Sequence, residues 1–340
     1  MVPAIAALPR FRLFSEPSPL HRLERLEAAL GNRAELWMKR EDLLPLAFGG
    51  NKLRNLEFLV GAALAAGADT LVTSGRRWSN HCRLTAAAGA RAGLAVHLVL
   101  SGPPAPEPDG RHEGNPGRRL DELLGASVTQ LPSADREARE AAVEAIVADL
   151  RGRGRAPYQV PVGGTGLPGA VGQVLAAWEL LEQAALAGAP SDALVVPSAT
   201  GGTQAGLLAG LRSGGSPAIV HGVLVARPDP ELRPAIEGTL DALAELLGTT
   251  VSASEVILDG SYLGEGYGRP TAAAEDAMQL LARTEGVFVD PIYTAKALAA
   301  LVAGVRAGRF DGQRVVFWHA GGTPGLFEPL DGPAPALPLQ

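Results

Sequence analysis

The stretch Lys39-Arg40-Glu41-Asp42-Leu43-Leu44-Pro45-Leu46-Ala47-Phe48-Gly49-Gly50-Asn51-Lys52-Leu53-Arg54 places a lysine directly after a Gly-Gly-Asn turn and at the start of an amphipathic helix. Glycines let the backbone bend tightly and let a flat ligand approach with no Cβ in the way. A lysine at the mouth of such a turn can point into a cleft. Its amine can lose its proton there and attack a carbonyl carbon, which a solvated ammonium does poorly. The same residue on a solvated face would be an ordinary helix-start lysine, so the reading depends on what else the chain carries.

Outward from this turn, short β-rich apolar runs alternate with Ala/Leu-rich helical ones. Asp69 to Thr73, Ala95 to Leu100, Ala193 to Pro197, Ile219 to Val225, Val287 to Val289 and Val315 to Trp318 read as strands. Ser79 to Ala92, Asp121 to Leu124, Asp135 to Arg151 and Gln204 to Leu211 read as helices. Such alternation predicts an α/β protein with helices on both faces of mostly parallel sheets. Ligands of such folds sit at the carboxyl ends of the strands. Gly102-Pro103-Pro104 opens a proline-rich loop, and Gly332 to Gln340 reads as a loose tail.

Bulk properties narrow the class. With 340 residues, 46% hydrophobic and 19% charged, the chain is long enough for two lobes and too apolar to be disordered. A net charge of −6 argues against nucleic acid or an anionic membrane as partner. Arg118-Arg119 and Arg151 to Arg155 read as solvated basic spots. Cys82 is the sole cysteine, which rules out an internal disulfide and favours the cytoplasm. No spacing of His, Cys or carboxylates suggests a metal, no signal peptide is visible, and no apolar run is long enough to span a bilayer.

Three strand–loop–helix junctions carry unusual residues. In Ser198-Ala199-Thr200-Gly201-Gly202-Thr203, a glycine-rich loop enters a helix, whose N–H groups and positive dipole end suit a phosphate. It is neither a Walker loop nor a dinucleotide fingerprint, which leaves a single phosphate on a small cofactor. In Gly75-Arg76-Arg77-Trp78-Ser79-Asn80-His81, Ser79 is a natural helix cap, and the helix start is a second anion cradle. Finally, Tyr262, Tyr267 and Tyr293, three of only four tyrosines, fall in the loops around Gly264-Glu265-Gly266 and Asp290-Pro291-Ile292-Tyr293-Thr294. A scarce residue gathered in loops suggests a site.

Phe48-Gly49-Gly50-Asn51-Lys52-Leu53-Arg54, Ser79-Asn80-His81, Thr200-Gly201-Gly202-Thr203 and Asp290-Pro291-Ile292-Tyr293-Thr294, in this order, resemble the D-cysteine desulfhydrase and 1-aminocyclopropane-1-carboxylate deaminase family. These are pyridoxal phosphate enzymes of the tryptophan-synthase-β fold type, and the resemblance runs from about Phe11 to Phe327. It implies a two-domain fold type II enzyme, each domain an open, twisted, mostly parallel sheet with flanking helices. Residues 1–57 plus 168–340 would form the large cofactor-binding domain and 58–167 the small one. Lys52 would hold the cofactor covalently and shuttle the substrate α-proton. Asn51 and Asn80 would contact the cofactor, Asn80 at its ring oxygen, and Ala199 to Thr203 would hold the phosphate. Ser79, Asn80 and His81 would receive the substrate carboxylate, with Arg77 and Trp78 beside it and Tyr267 and Tyr293 facing the substrate. A homodimer is also implied.

The expected reaction is loss of the β-substituent of a small amino acid, D-cysteine by default, to give a keto acid and ammonia. Rival readings are deamination of 1-aminocyclopropane-1-carboxylate, β-replacement, and a non-catalytic amino-acid-binding relative. The sequence departs from the family in places. Deaminases carry a Glu after the active-site Tyr to meet the pyridine nitrogen, whereas this chain has Thr294, which the resemblance makes a cofactor-binding residue. Ala320 stands where the desulfhydrase branch usually has Thr before Gly321-Gly322. Arg76, Arg77 and Trp78 replace smaller residues ahead of Ser79, which predicts a substrate larger or more acidic than cysteine.

Overall fold

The computed structural model describes residues 2–102, 115–188 and 190–330. The proline-rich loop beyond Gly102 and the tail from Gly332 lie outside the described residues. Ten strands form two sheets: β1 (Leu20–Arg22), β2 (Glu35–Arg40), β3 (Thr70–Arg76), β4 (Ala95–Ser101), β5 (Ser127–Leu131), β6 (Pro157–Gln159), β7 (Ala193–Ser198), β8 (Ile219–Leu224), β9 (Ile257–Asp259) and β10 (Arg314–His319). The larger sheet runs β1-β2-β10-β7-β8-β9 and the smaller β5-β4-β3-β6. Every pairing is parallel except β1 with β2.

Parallel strands covered on both faces read as continuous apolar runs, because both sets of alternating side chains are buried. Strand β7 is buried along its whole length. Its Leu194 and Val196 pack with helices Val171–Leu186 and Gly202–Ser213, while Ala193 and Val195 pack with helix Thr294–Arg306. The smaller sheet repeats the arrangement. Leu71 of β3 faces helices Lys52–Ala65 and Asn80–Ala92, and Val72 faces Val143 and Val147 of helix Arg136–Gly152.

Two expectations need correction. Val287 to Val289 is not a strand. The Phe288 carbonyl accepts a hydrogen bond from the His319 ring at 2.8 Å, so a side chain takes the place of a ladder partner. Helix Lys52–Ala65 is not amphipathic but buried nearly all round, including Arg54, Asn55 and Glu57. It lies between the two sheets, and helix Val171–Leu186 approaches so closely that a Cβ on Gly172 would strike the backbone of Arg54. The basic spots are solvated as expected, with exposed pairs Arg118–Glu122, Arg153–Asp149 and Arg155–Asp69.

Candidate active site

The carboxyl ends of β3, β7, β8 and β10 open onto one cavity of about 340 Å³. Lys52, Asn51, Ser79, Asn80, His81 and Tyr293 line it, as do Tyr267, Ala199, Thr200, Gly201 and Thr203. Residues distant in sequence are thus gathered around one lysine.

The lysine turn is held from both sides. Ala47, Phe48, Gly49 and Gly50 have φ of 45°, 65°, 64° and 133°. Two of them are not glycine, and the left-handed region costs such residues energy that the surroundings must supply. The Gly50 N–H donates to Glu41 O at 2.9 Å, and the Asn51 N–H to Ala320 O at 3.0 Å. Gln173 Nε2 donates to Asn51 O at 2.9 Å. Two residues further along the helix, the Arg54 guanidinium donates to Glu41 at 2.6 and 2.8 Å and to Glu179 at 2.8 and 3.0 Å. This buried pairing fixes the first helical turn and with it the base of the Lys52 side chain. Burial lowers the Lys52 amine from the usual 10.5 to about 8. Removing an ammonium from water disfavours its charged form, so a substantial share of the amine is neutral and nucleophilic near neutral pH.

Two helix N-termini face the same space. Gly201, at φ 85°, caps helix Gly202–Ser213, and Thr203 Oγ1 accepts from Asn51 Nδ2 at 2.9 Å, tying the glycine loop to the lysine turn. A glycine at positive φ turns successive N–H groups toward one point, where an anion is favoured. Ser198 adds a buried hydroxyl with no protein partner among the described residues. On the other side, Ser79 Oγ accepts the Cys82 N–H at 3.3 Å and caps helix Asn80–Ala92. The N–H groups of Asn80 and His81, which a first helical turn cannot satisfy internally, are left at the cavity wall.

The His81 ring is hydrogen-bonded within the fold. Thr73 Oγ1 donates to Val160 O at 2.9 Å, so it must accept from His81 Nε2, also at 2.9 Å. That network assigns the Nε2–H tautomer. Burial, helped by the charge of Lys52, lowers the ring to about 3, so it is neutral. His81 therefore offers the cavity its backbone N–H and not a cationic ring.

Tyr267 and Tyr293 bring their hydroxyls into direct contact, with ring centroids 5.7 Å apart. Burial raises both phenols above their ordinary value, Tyr293 the more strongly, so both stay protonated. Tyr262 does not join them. It packs on the core behind the larger sheet.

Other predicted residues also lie off the cavity wall. Thr294 is fully buried; its hydroxyl donates to Asp290 Oδ1 at 2.5 Å and accepts the Asp290 N–H at 2.9 Å. The Asp290 carboxylate also takes the N–H groups of Ile292, Tyr293 and Thr294. Thr294 therefore builds the turn that presents Tyr293 and has no hydroxyl left for a ring nitrogen. Arg77 is buried against Glu328 at 3.1 Å, and Trp78 packs edge-on against Tyr267 at 5.9 Å. Both support the wall from behind; of that triplet only Arg76 reaches the cavity. Gly202 packs on Thr165, and its neighbours Gly201 and Thr203 form the lining.

Sequence reading missed Arg136, Arg139, Arg227 and Glu231, which also line the cavity. On the chain they look like ordinary charges at helix starts. Among the described residues no cluster of His, Cys or carboxylates has the arrangement of a metal site.

A nucleophilic lysine, an anion-binding glycine loop and a second helix start around one cavity fit pyridoxal phosphate, whose aldehyde and phosphate require those partners. Residues 12–321 match the family described as "Pyridoxal-phosphate dependent enzyme", and the chain belongs to that family. Within it, the chain is 39% identical to the D-cysteine desulfhydrase of Yersinia pestis (strain Pestoides F) over 324 residues, 95% of this chain and 96% of that one. It is also 39% identical to the D-cysteine desulfhydrase of Salmonella choleraesuis (strain SC-B67), over 95% of this chain and 97% of that one. A crystal structure of an ACC deaminase homologue superposes with a TM-score of 0.85 at 32% identity, covering 96% of both chains. The protein is a pyridoxal phosphate-dependent lyase of the fold type II class. No described helix is long and apolar enough to cross a membrane.

Proposed function

We propose that this enzyme eliminates the β-substituent of a small D-cysteine-like amino acid, releasing a keto acid and ammonia. The observation that carries the reading is Lys52: an amine lowered to about 8 by burial, fixed between two helix N-termini at one cavity. Similarity to D-cysteine desulfhydrases along nearly the whole chain supports the substrate class.

When bound, pyridoxal phosphate supplies the electron sink that makes an amino acid's α-proton removable. In this reading Lys52 would hold the cofactor covalently and, once released as the free amine, would take the α-proton at Nζ. The backbone N–H groups of Ala199, Thr200 and Gly201, with the Thr203 hydroxyl, hold the phosphate. Asn51 keeps that loop in register with the lysine, and Asn80 meets the cofactor ring. The N–H groups of Asn80 and His81, beside Ser79, hold the substrate carboxylate and so orient the Cα–H bond toward Lys52. Tyr267 and Tyr293, protonated at neutral pH, stand to deliver a proton to the leaving thiolate.

Deamination of 1-aminocyclopropane-1-carboxylate fits less well. Thr294 is occupied by Asp290, and Ala320 brings no polar side chain to the wall. Residues 58–167, which contain the whole smaller sheet, are proposed as the small domain, and the enzyme is proposed to be a cytoplasmic homodimer like the family it resembles. The test is pyruvate and ammonia release from D-cysteine, L-cysteine and the cyclopropane substrate, with Lys52→Ala as control. D-cysteine turnover lost in Lys52→Ala supports the reading, and efficient 2-oxobutyrate release from the cyclopropane compound with none from cysteine refutes it.

A further inference from the structure

Four arginines from the sides of both sheets line the cavity, Arg136, Arg139 and Arg227 within reach of one another's charge and Arg76 over the Trp78 and Tyr267 rings. Arg76 ends β3, and its register partner Ser101 ends β4. Arg139 donates to Ser101 Oγ at 3.1 Å; it is only 8% exposed, and its Nε has no partner among the described residues. Arg136 lies one helical turn earlier and pairs with Glu140 at 2.7 Å. Arg227 follows β8 on the other side, and no ion pair or hydrogen bond holds its half-buried side chain among the described residues. Glu231 is the only carboxylate among the described residues lining the cavity.

Like charges packed around one space repel, and buried charges normally have counter-charges. Burial, then Arg136 and later Arg139, lowers the Arg227 guanidinium below its ordinary value, with Glu231 and Glu140 opposing. The charge of Arg227 is thus felt from across the cleft. Guanidinium forks bind planar or tetrahedral oxyanions bidentately, and an anion placed between them turns mutual repulsion into shared attraction. The two anions already assigned, cofactor phosphate and substrate carboxylate, have their own cradles at Gly201 and Asn80. A third locus remains.

We propose that Arg227, Arg139, Arg136 and Arg76 bind a second acidic group on the substrate, and that the preferred substrate is an α-amino acid whose β-substituent is a sulfonate, phosphate or similar oxyanion. This rests on the β-elimination reading above. With cysteate, the Cα–H proton goes to Lys52 and the Cβ–S bond breaks. The sulfur leaves with the electron pair as sulfite, and a carbon–carbon double bond forms. Water then converts the released enamine to pyruvate and ammonia.

The experiment uses the holoenzyme with both enantiomers of cysteate, O-phosphoserine and the neutral-side-chain control β-chloroalanine, measuring pyruvate. In parallel, binding of 3-sulfopropanoate is compared with that of butanoate. The expected results are a higher kcat/KM for an anionic substrate than for β-chloroalanine, and tighter binding of 3-sulfopropanoate. In Arg227→Gln, both preferences should fall about tenfold or more, the scale of one charge-assisted hydrogen bond. Added salt should weaken both in wild type. Preferences unchanged in Arg227→Gln and in Arg76→Gln would overturn the proposal. So would a loss of pyridoxal phosphate affinity in Arg227→Gln with the preferences intact, which would give the arginines to the cofactor. Pyruvate from β-chloroalanine but from no anionic substrate overturns the acid locus alone. No pyruvate from any substrate, with 3-sulfopropanoate still bound selectively, overturns the elimination chemistry and leaves the anion locus standing.

Discussion

Attachment of pyridoxal phosphate to the cofactor-free protein should follow the titration of Lys52. The amine sits near 8 because burial disfavours its ammonium form. At pH 7.5 a group of that pKa is about one-quarter neutral, whereas an ordinary lysine is neutral in about one molecule per thousand, a difference of about two hundredfold. Only the neutral amine attacks the aldehyde. As pH rises through 8 the second-order rate of attachment should therefore climb and then level off near pH 9. An unperturbed lysine would still be climbing about tenfold per unit there. The assay is stopped-flow growth of the visible band from pH 6 to 10, corrected for the titration of free cofactor, with Lys52→Ala as the blank. A midpoint near 10.5, or the same band in Lys52→Ala, would refute the assignment of a desolvated Lys52 as the attachment point.

Further outcomes follow from packing and hydrogen bonding. Arg54→Ala leaves Glu41, 0% exposed, beside no guanidinium, and should cost roughly 3–5 kcal/mol in urea unfolding; a loss below about 1 kcal/mol would show the network to be dispensable. Thr294→Val strips a donor from the Asp290 carboxylate and an acceptor from its N–H, and should destabilise by about 1–3 kcal/mol. An unchanged unfolding midpoint would put the hydroxyl elsewhere. Gly201→Val forces a β-branched residue to φ 85° against Ile236, so cofactor affinity should drop at least about tenfold with secondary structure retained. Unaltered affinity in equilibrium dialysis would make the loop a simple turn.

The sequence determined the local grammar of this protein. Runs such as Ala193 to Pro197 are apolar without interruption because both faces of a central parallel strand are covered, and that pattern is visible in one dimension. Ser79 as a cap, Gly201 at a left-handed helix entry and Lys52 after a Gly-Gly-Asn turn are likewise local matters, set by side-chain reach and backbone sterics. Short edge strands such as β1, β6 and β9, three residues each, carry too little pattern to be read. Orientation and convergence were decided in three dimensions. Thr294 turned to Asp290 because that carboxylate lies one helical turn before it and needs donors. Arg77 turned away from the cavity because Glu328, 251 residues further on, waits behind the wall. Arg136, Arg139 and Arg227 became neighbours only because the ends of separate sheets meet across the cleft. On the chain each is an ordinary surface arginine; Coulomb interaction makes them a site, and it depends on distance in space, which the folded backbone alone sets.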